Sequence, residues 1–200
     1  QLVDMSSSTV LPNEYNSPEN ILALEQVMTA QYVRAAKVNT TLWKMYTSSD
    51  LRRSKYFNQV TVSNILVAKG GSNQYSCSFR VGEIYLNAAE AALMTGESAI
   101  PAARTYLLTL IKQRYKAAAY TEKETAINAM GRDELLQEIY DERTRELAFE
   151  GHRWFDLRRT TRPRIEKVID GKTYILEKDD ARYTLRIPQA AIDANPELQH

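Results

Sequence analysis

The sequence has 200 residues, which is enough for one domain or for one piece of a larger one. Hydrophobic residues make up 44% and charged residues 26% of the chain, a globular composition that excludes disorder as the default state. Because 26 basic residues stand against 25 acidic ones, the net charge is +1, and no strong field favours nucleic acid or an acidic membrane surface.

Cysteine and histidine are scarce. Cys77 is the only cysteine, so no internal disulfide can form, and two histidines, His152 and His200, argue against a zinc site. No run approaches the ~20 apolar residues of a membrane span, and the polar start of the chain does not read as a signal peptide. Because the first residue is Gln, we interpret the chain as one whose N-terminal part has been removed.

Residues 1–74 predict an irregular, loop-rich region with short strands. The first 20 residues are rich in Ser, Asn and Pro, which are typical of loops. The apolar run at 21–24 fits a strand or the start of a helix. Residues 60–69 are rich in β-branched side chains and predict a strand, and the Gly-Gly-Ser-Asn that follows at 70–73 predicts a turn.

Two helices joined by a glycine turn are predicted next. The first covers residues 80–97 and ends at a Gly96 cap; the second is capped by Ser98, has Pro101 in its first turn, and runs to residue 119. Residues at spacings of three and four predict the packed face of the first helix: Ile84, Ala88, Ala91, Ala92 and Thr95. Such a pair is the unit of a tetratricopeptide-type repeat, although no second copy follows at a period near ~34 residues.

A third helix is predicted over residues 132–151, with its end at Gly151. Its apolar stripe predicts an inner face formed by Leu135, Leu136, Ile139, Tyr140, Arg143 and Leu147. A further helical turn is expected after a bend, and the tail then predicts a β-hairpin between residues 172–178 and 182–188.

The densest group of charges is the main candidate for chemistry. It contains Glu142, Arg143, Arg145, Glu146, Glu150, His152, Arg153, Asp156, Arg158 and Arg159. Paired carboxylates can hydrolyse a glycosidic bond, but a catalytic acid must stay protonated, and interleaved arginines favour the ionised form. The alternative is a structural ion-pair network that fixes the bend after Gly151, with Glu142, Glu146 and Glu150 on one helical face.

Aromatic side chains are the other candidates, because Trp and Tyr rings stack on the flat faces of sugars. Trp43, Tyr46 and Tyr56 lie in an irregular, polar region and are predicted to bind a ligand, with ordinary packing as the alternative. Trp154 and Phe155 lie inside the charged bend and are predicted to be core residues.

Several stretches resemble the SusD/RagB family and occur in the family's order from about residue 18 to the end. They are the helix RVGEIYLNAAEAALMTGE, the distinctive ERTRELAFEGHRWFDLRRT and the closing LRIPQAAIDANPEL, with a weaker Asp-x-Arg match at Asp50 and Arg52. The residues that carry the two helical motifs resemble determinants of the fold: Arg80, Glu83, Glu90, Glu142, Arg143, Glu146, Glu150, Gly151, Arg153 and Asp156.

The resemblance implies a mainly α fold with tetratricopeptide-like helical repeats, a loop-rich region and a small C-terminal β-hairpin. It implies that residues 75–200 form the C-terminal helical region of one fold. It also implies an outer-membrane lipoprotein, exposed at the cell surface and anchored by an N-terminal lipid that this chain lacks. Its partners would be an oligosaccharide or, less often, a peptide or glycoprotein, and a SusC-like TonB-dependent transporter over which the protein acts as a lid.

Three functions stay open from the sequence. The first is a non-catalytic glycan-binding protein, which the resemblance favours. The second is a glycoside hydrolase that uses Glu/Asp pairs, and the third is a helical-repeat adaptor that binds only protein. No glycine-rich phosphate-binding pattern is present, so the sequence predicts no nucleotide cofactor, and it predicts no metal site or nucleic-acid partner.

Overall fold

The computed structural model describes residues 1–25, 37–69 and 76–199. Within these residues it contains eight α-helices and three two-stranded antiparallel sheets, one of them a C-terminal hairpin. The predicted mainly α fold class is therefore confirmed.

The chain divides into two compact units, residues 1–151 and residues 152–200. Each unit has its own internal contacts and is described by itself. The boundary predicted between residues 74 and 75 lies outside the described residues and stays a prediction.

The strands of the first unit are short. They are β1 (Asn20–Glu25), β2 (Phe57–Gln59), β3 (Ile65–Val67) and β4 (Ser76–Arg80); β1 pairs with β4 and β2 with β3. The apolar run at 21–24 is therefore a strand. The strand predicted at 60–69 is shorter, because residues 60–64 form the hairpin turn, in which the Val60 N–H donates to the Asn64 carbonyl at 2.9 Å. The turn predicted at 70–73 lies outside the described residues.

Two short helices, α1 (Thr40–Lys44) and α2 (Arg52–Tyr56), lie between these strands in the chain. Asn39 begins α1, and its side-chain carbonyl accepts a hydrogen bond from the Thr41 N–H at 2.7 Å, as N-cap residues do. The region has a core of its own, formed by Val3, Met5, Val38, Tyr46, Tyr56, Phe57, Ile65 and Val67. The loop-rich region is therefore packed rather than loosely attached.

Helices α3 (Val81–Thr95) and α4 (Ile100–Lys112) form the predicted helical pair. Gly96 ends α3 with a φ of 129°, a conformation that only glycine adopts without strain, and Pro101 lies in the first turn of α4. The predicted cap is wrong: a 3₁₀ turn at Glu97–Ala99 precedes α4, and Ala99, not Ser98, is the N-cap.

The packed face of α3 also differs from the prediction. Its buried residues are Gly82, Leu86, Ala89 and Leu93, whereas the predicted Ile84 is 41% exposed and Ala91 is exposed. Both sets repeat at spacings of three and four, so periodicity alone could not choose between them. The main core decides the face, with Leu86, Ala89, Leu93, Ala103, Leu107, Leu110, Ile111, Tyr115, Ile127, Leu135 and Ile139.

Helix α5 (Ala117–Ala129) was not predicted as a separate element. The second predicted helix stops at Lys112 because the next residues cross to the loop before α2. There the Leu51 N–H donates to the Arg114 carbonyl at 2.9 Å and the Lys116 N–H donates to the Ser49 carbonyl at 3.0 Å. Because Ile127 is the buried residue of this polar helix, the sequence offers no apolar period by which to detect it.

Helix α6 (Arg132–Glu146) begins as predicted but ends before Gly151. The backbone turns at Leu147, and both Phe149 (φ 65°) and Gly151 (φ 86°) adopt the left-handed conformation. The residues in the second half of the helix that are buried are charged: Glu142, Arg143, Arg145 and Glu146.

The second unit contains α7 (Arg153–Arg159), β5 (Ile165–Ile169), β6 (Lys172–Leu176) and α8 (Gln189–Ala194). The predicted hairpin is wrong in its pairing: β6 was expected to pair with residues 182–188, but it pairs with β5, the strand before it. The turn between β5 and β6 is formed by Asp170 and Gly171, whose φ angles are 49° and 76°. Asp-Gly is the stronger signal for a two-residue hairpin turn. Residues 182–188 instead include part of a 3₁₀ turn, Ala181–Tyr183.

The aromatic residues of this unit are only partly core. Trp154 stacks on Tyr183 with ring centroids 5.1 Å apart, but Phe155 is 63% exposed, so its predicted core position is wrong. None of the helices in the described ranges has the length and apolar character needed to cross a bilayer.

Candidate functional site

The carboxylate of Glu146, in the last turn of α6, accepts hydrogen bonds from three guanidinium groups. It lies 2.9 Å from Arg52 Nη1, 2.6 Å from Arg80 Nη1 and 3.0 Å from Arg114 Nε. All four residues are at most 1% exposed. They come from α2, the end of β4, the segment after α4, and α6, so Glu146 connects four separate parts of the first unit.

More charged groups extend these contacts into what we call the ion-pair network. It contains Glu19, Asp50, Arg52, Lys69, Arg80, Arg114, Glu142, Arg145, Glu146 and Glu150, five carboxylates and five cations whose formal charges cancel. A buried charge is tolerated only when it is paired and hydrogen-bonded, and the network meets that condition at each member.

The electrostatics of the network keep its glutamates ionised. Burial alone would raise the pKa of Glu142, but the charges of Arg52 and Arg145 hold it below the ordinary value. Burial opposes ionisation of Glu146 as well, yet Arg114 and the other two arginines place its pKa well below the usual range. Such carboxylates cannot act as proton donors near neutral pH, which is what a glycosidase's general acid must do.

Glu150 lies in the turn after α6, so the three motif glutamates do not share one helical face as predicted. It still joins the same network: its carboxylate accepts from Lys69 Nζ at 2.5 Å and from Arg80 Nη2 at 2.8 Å. Burial lowers the pKa of Lys69 to about 8 despite the opposing charge of Glu150. The Lys69 ammonium also donates to the Glu146 carbonyl at 3.0 Å.

Gly82, in the first turn of α3, makes room for the network. A Cβ atom on this residue would lie 2.5 Å from Arg80 Nη1, 3.0 Å from Glu19 Oε2 and 3.1 Å from Glu146 Oε1. A glycine inside a helix costs stability relative to alanine, so its presence needs a reason. The close approach of the Arg80 guanidinium supplies that reason.

The remaining motif residues lie elsewhere. Arg143 Nη1 donates to Asn87 Oδ1 of α3 at 2.6 Å, and the Tyr140 hydroxyl lies 3.5 Å from Glu90, so these residues join α6 to α3. Glu83 lies in the first turn of α3. Arg153 and Asp156 belong to the second unit, where Asp156 pairs with Arg159 at 2.8 Å.

Three members of the network were missed by the sequence argument: Glu19, Lys69 and Arg114. Each is separated by at least 32 residues from the partner it contacts here, Arg80, Glu150 or Glu146. A pattern of spacings along one helix cannot detect such partners. The only local signal was Gly82, a glycine in an otherwise strong helix pattern.

A surface groove of about 520 Å³ lies on the loop-rich side of the first unit, and we call it the Trp43 groove. Its lining consists of Trp43, Ser48, Asp50, Leu51, Arg53, Ser54, Phe57, Gln59 and Lys116. The volume is within the range of small-molecule sites, and the lining combines aromatic rings with hydroxyl, amide and cationic groups.

The indole of Trp43 is held by two neighbours. The Phe57 ring meets it edge-on with centroids 5.4 Å apart, and the Arg53 guanidinium carbon lies 4.1 Å from its centroid, a cation–π contact. Arg53 is itself fixed, because its Nη1 donates to the Tyr46 carbonyl at 2.8 Å. The aromatic ring at the groove is therefore preorganised rather than free to rotate.

The other two predicted ligand residues are buried. Tyr46 is 1% and Tyr56 0% exposed; the Tyr46 hydroxyl donates to the Arg145 carbonyl at 2.7 Å. The Lys69 ammonium lies 4.1 Å from the centroid of the Tyr56 ring. A ligand that arrives from solvent cannot stack on either ring. Of the three aromatic residues predicted to bind a ligand, Trp43 is the one that lines a groove.

The sequence matches the model of the SusD family over residues 8–200. Among solved structures, the chain is similar to a SusD-like carbohydrate binding protein from Bacteroides vulgatus, with a TM-score of 0.64 and 19% identity over 100% of this chain and 52% of that one. It is similar to a SusD superfamily protein from Bacteroides fragilis, with a TM-score of 0.67 and 21% identity over 93% of this chain and 46% of that one. No curated protein sequence matches the chain.

The chain thus spans about half the length of these two solved structures. At such identities the structural likeness shows the fold alone. The match to the family model covers nearly all of the sequence, including the motifs around Arg80 and Glu146. The chain belongs to the SusD family.

Proposed function

We propose that this chain is part of a non-catalytic cell-surface protein that binds oligosaccharides and delivers them to a SusC-like TonB-dependent transporter. Its family membership supports this proposal, as does the name of the similar Bacteroides vulgatus structure, a carbohydrate binding protein. The single structural observation that carries it is a preorganised tryptophan beside polar side chains in an open groove.

The Trp43 groove has the groups that sugar recognition needs. A sugar ring offers an apolar C–H face and a rim of hydroxyl groups, and an indole contacts the first while polar side chains bond the second. Ser48, Ser54 and Gln59 are exposed in the groove and can donate or accept such bonds. Because Arg53 and Phe57 fix the indole, little side-chain entropy is lost on binding.

The glycosidase alternative is less well supported. The carboxylates of the most distinctive motif are buried and paired with arginines, and their pKa values are lowered. The one carboxylate among the groove residues, Asp50, is 2% exposed and bound by Arg52. None of these groups meets the requirement for a protonated acid beside a sugar bond.

The test is a titration of the purified protein with oligosaccharides, in which the same samples are assayed for new reducing ends. We expect saturable binding without product. Trp43→Ala should weaken the binding about 5- to 30-fold, since an aromatic contact in a site of this kind is worth on the order of 1–2 kcal/mol. Tyr15→Ala is the matched control, because Tyr15 is an aromatic residue, 47% exposed, that does not line the groove.

Two outcomes would contradict the proposal. New reducing ends formed by the wild-type protein would show catalysis, and their loss in Glu146→Gln or Glu150→Gln variants that remain folded would assign it to the motif carboxylates. Binding of protein partners with no affinity for any sugar would favour the helical-repeat adaptor.

The proposed location is the outer membrane, with attachment by an N-terminal lipid. Family membership supports the location. Two measurements test the location: labelling of the full-length protein in cells with a fatty-acid probe, and digestion of intact cells with a protease. We expect a labelled protein that the protease removes. Co-purification of the transporter from detergent extracts tests the partner.

A further inference from the structure

The Trp43 groove carries two cations, Arg53 and Lys116, that have no carboxylate partner among the residues that the structure describes. The Arg53 side chain makes one hydrogen bond to a backbone carbonyl and one contact with the indole, and Lys116 is exposed. Within the described part of the chain, no carboxylate lies within ion-pair distance of either side chain. The ion-pair network differs in this respect, because all of its cations are matched.

The nearest acidic group cannot neutralise them. Asp50 also lines the groove, but its Oδ1 accepts from Arg52 Nε at 2.9 Å and its Oδ2 accepts from Arg52 Nη2 at 2.8 Å. This two-pronged pair is buried, and Arg52 continues into the network through Glu142. The negative charge of Asp50 is therefore committed to the interior, and the exposed charge of the groove is positive.

Both cations are held on fixed backbone. Lys116 is the N-cap of α5, and its N–H donates to the Ser49 carbonyl at 3.0 Å. Close by in the chain, the Leu51 N–H donates to the Arg114 carbonyl at 2.9 Å. Arg53 lies in α2 and is stacked on Trp43. The tryptophan and the Arg53 guanidinium are thus fixed against each other, and the backbone of Lys116 is anchored to the loop before α2.

Another groove of the first unit, of about 600 Å³ between α5 and α6, is lined by acidic instead of basic side chains. Its charged lining residues are Glu134, Glu138 and Asp141. Glu138 is paired with Arg145 and Lys123, while Glu134 bonds the Gly131 N–H. An anion would be repelled by these carboxylates. Of the two grooves, the Trp43 groove is therefore the better binding site for an anion.

We propose that the Trp43 groove selects anionic sugars, uronates or sulfated sugars, over neutral ones. The sugar ring lies against the indole, and its carboxylate or sulfate lies on the Arg53 and Lys116 side of the groove. Guanidinium and ammonium groups form charge-assisted hydrogen bonds with such oxyanions, which a neutral hydroxyl cannot match. This inference rests on the proposed glycan-binding function and adds the class of ligand.

The test compares matched sugars in equilibrium titrations at low salt. The probes are oligogalacturonate and its methyl ester, and chondroitin sulfate fragments and their desulfated, methyl-esterified form. Starch, xylan and mannan fragments serve as further neutral probes. We expect at least one acidic probe to bind about tenfold tighter than its neutral counterpart, with the advantage shrinking as salt rises.

The variant Lys116→Gln should reduce that advantage to about threefold or less, while Lys112→Gln should keep it. Both variants remove one positive charge from an exposed lysine, but Lys112 lies on α4 outside the groove lining. The pair therefore separates a local contact from the effect of net charge. The uronate and sulfate probes identify which oxyanion is preferred.

Several outcomes would overturn the inference, and they are distinguishable. Neutral and acidic probes that bind equally would overturn the selectivity alone and leave sugar binding in place. An oligoglutamate peptide that binds as tightly as the best acidic sugar would replace the sugar with an acidic peptide. If none of the probes binds, the proposed glycan function and the selectivity fail together.

Discussion

The ion-pair network and the Trp43 groove use the same kinds of side chain for opposite purposes. In the network, arginines are buried and each contacts carboxylates, as Arg80 does with Glu19, Glu146 and Glu150. In the groove, Arg53 is partly exposed and rests on an aromatic ring. Arg52 and Arg53 are adjacent in the sequence, yet Arg52 belongs to the network and Arg53 lines the groove.

This difference indicates that the charged motifs of this chain serve its stability and not ligand binding. The charges most visible in the sequence, those around Glu146, lie in the interior, where their loss would leave uncompensated ions. Of the two cations in the groove, Arg53 stands in a stretch with no clear pattern and Lys116 lies outside the quoted motifs. Motif density in this chain therefore marks the requirements of the fold, and the candidate for binding lies where the pattern is weak.

Acid should produce the largest difference between the two regions, because it acts on several network carboxylates at once. Burial disfavours their ionised forms, yet their arginine partners depress the folded-state pKa values of Glu142, Glu146 and Glu150 below the unfolded value of about 4.3. The stabilisation is thus complete above that pH and is lost as pH falls through the folded-state values. Urea unfolding at pH 7, 5, 4 and 3 should show a falling midpoint below pH 5; a flat profile would contradict the network's role.

Removing the central carboxylate should have the next largest effect. Glu146→Gln leaves three buried guanidinium groups without their shared anion, which should cost about 3–5 kcal/mol of unfolding free energy. The control is Glu122→Gln on the exposed face of α5. Chemical denaturation measures both, and similar costs for the two variants would show that the network does not stabilise the fold.

An alanine at position 82 should destabilise the protein although alanine normally favours helices. The added Cβ would meet Arg80 Nη1 at 2.5 Å, and that group is held by Glu19 and Glu146. We expect a net loss of about 1–3 kcal/mol. A stabilised Gly82→Ala variant, as in an open helix, would show that the Arg80 side chain can move away without loss.

The smallest expected change in stability is for a charge of the Trp43 groove. Lys116→Gln removes an exposed charge that has no ion pair in the described residues, so unfolding free energy should change by no more than about 0.5 kcal/mol. The same denaturation experiment measures it. A loss comparable to that of Glu146→Gln would place Lys116 among the structural charges and remove it from the groove argument.

The helical part of the fold was predictable because its signals are local. Gly96 and Pro101 marked the junction of α3 and α4, and the apolar positions Leu135 and Ile139 marked the inner face of α6. The C-terminal hairpin was predicted in the wrong place even though Asp170-Gly171 is a strong local signal for a turn. Residues 182–188 also have a strand-like composition, and the prediction paired them with residues 172–178.

The sites were less predictable because they depend on contacts between distant residues. Tyr46 and Tyr56 lie in a polar stretch that suggested exposure, yet packing with Phe57 and Ile65 buries them. Arg114 and Glu146 are 32 residues apart in sequence, and Glu19 and Arg114 are 95 apart. Local propensity does not encode such pairs; tertiary packing creates them.

The long span of the network has a consequence for synthesis on the ribosome. Arg52 finds its partner Glu146 only after 94 further residues, which at about 5–20 residues per second takes roughly 5 to 20 seconds. Until then the guanidinium groups of Arg52, Arg80 and Arg114 lack the one carboxylate that all three share, although two of their other partners, Asp50 and Glu19, have already been synthesised. A nascent chain that stalls before α6 is complete therefore lacks the residue that joins α2, the end of β4 and the segment after α4.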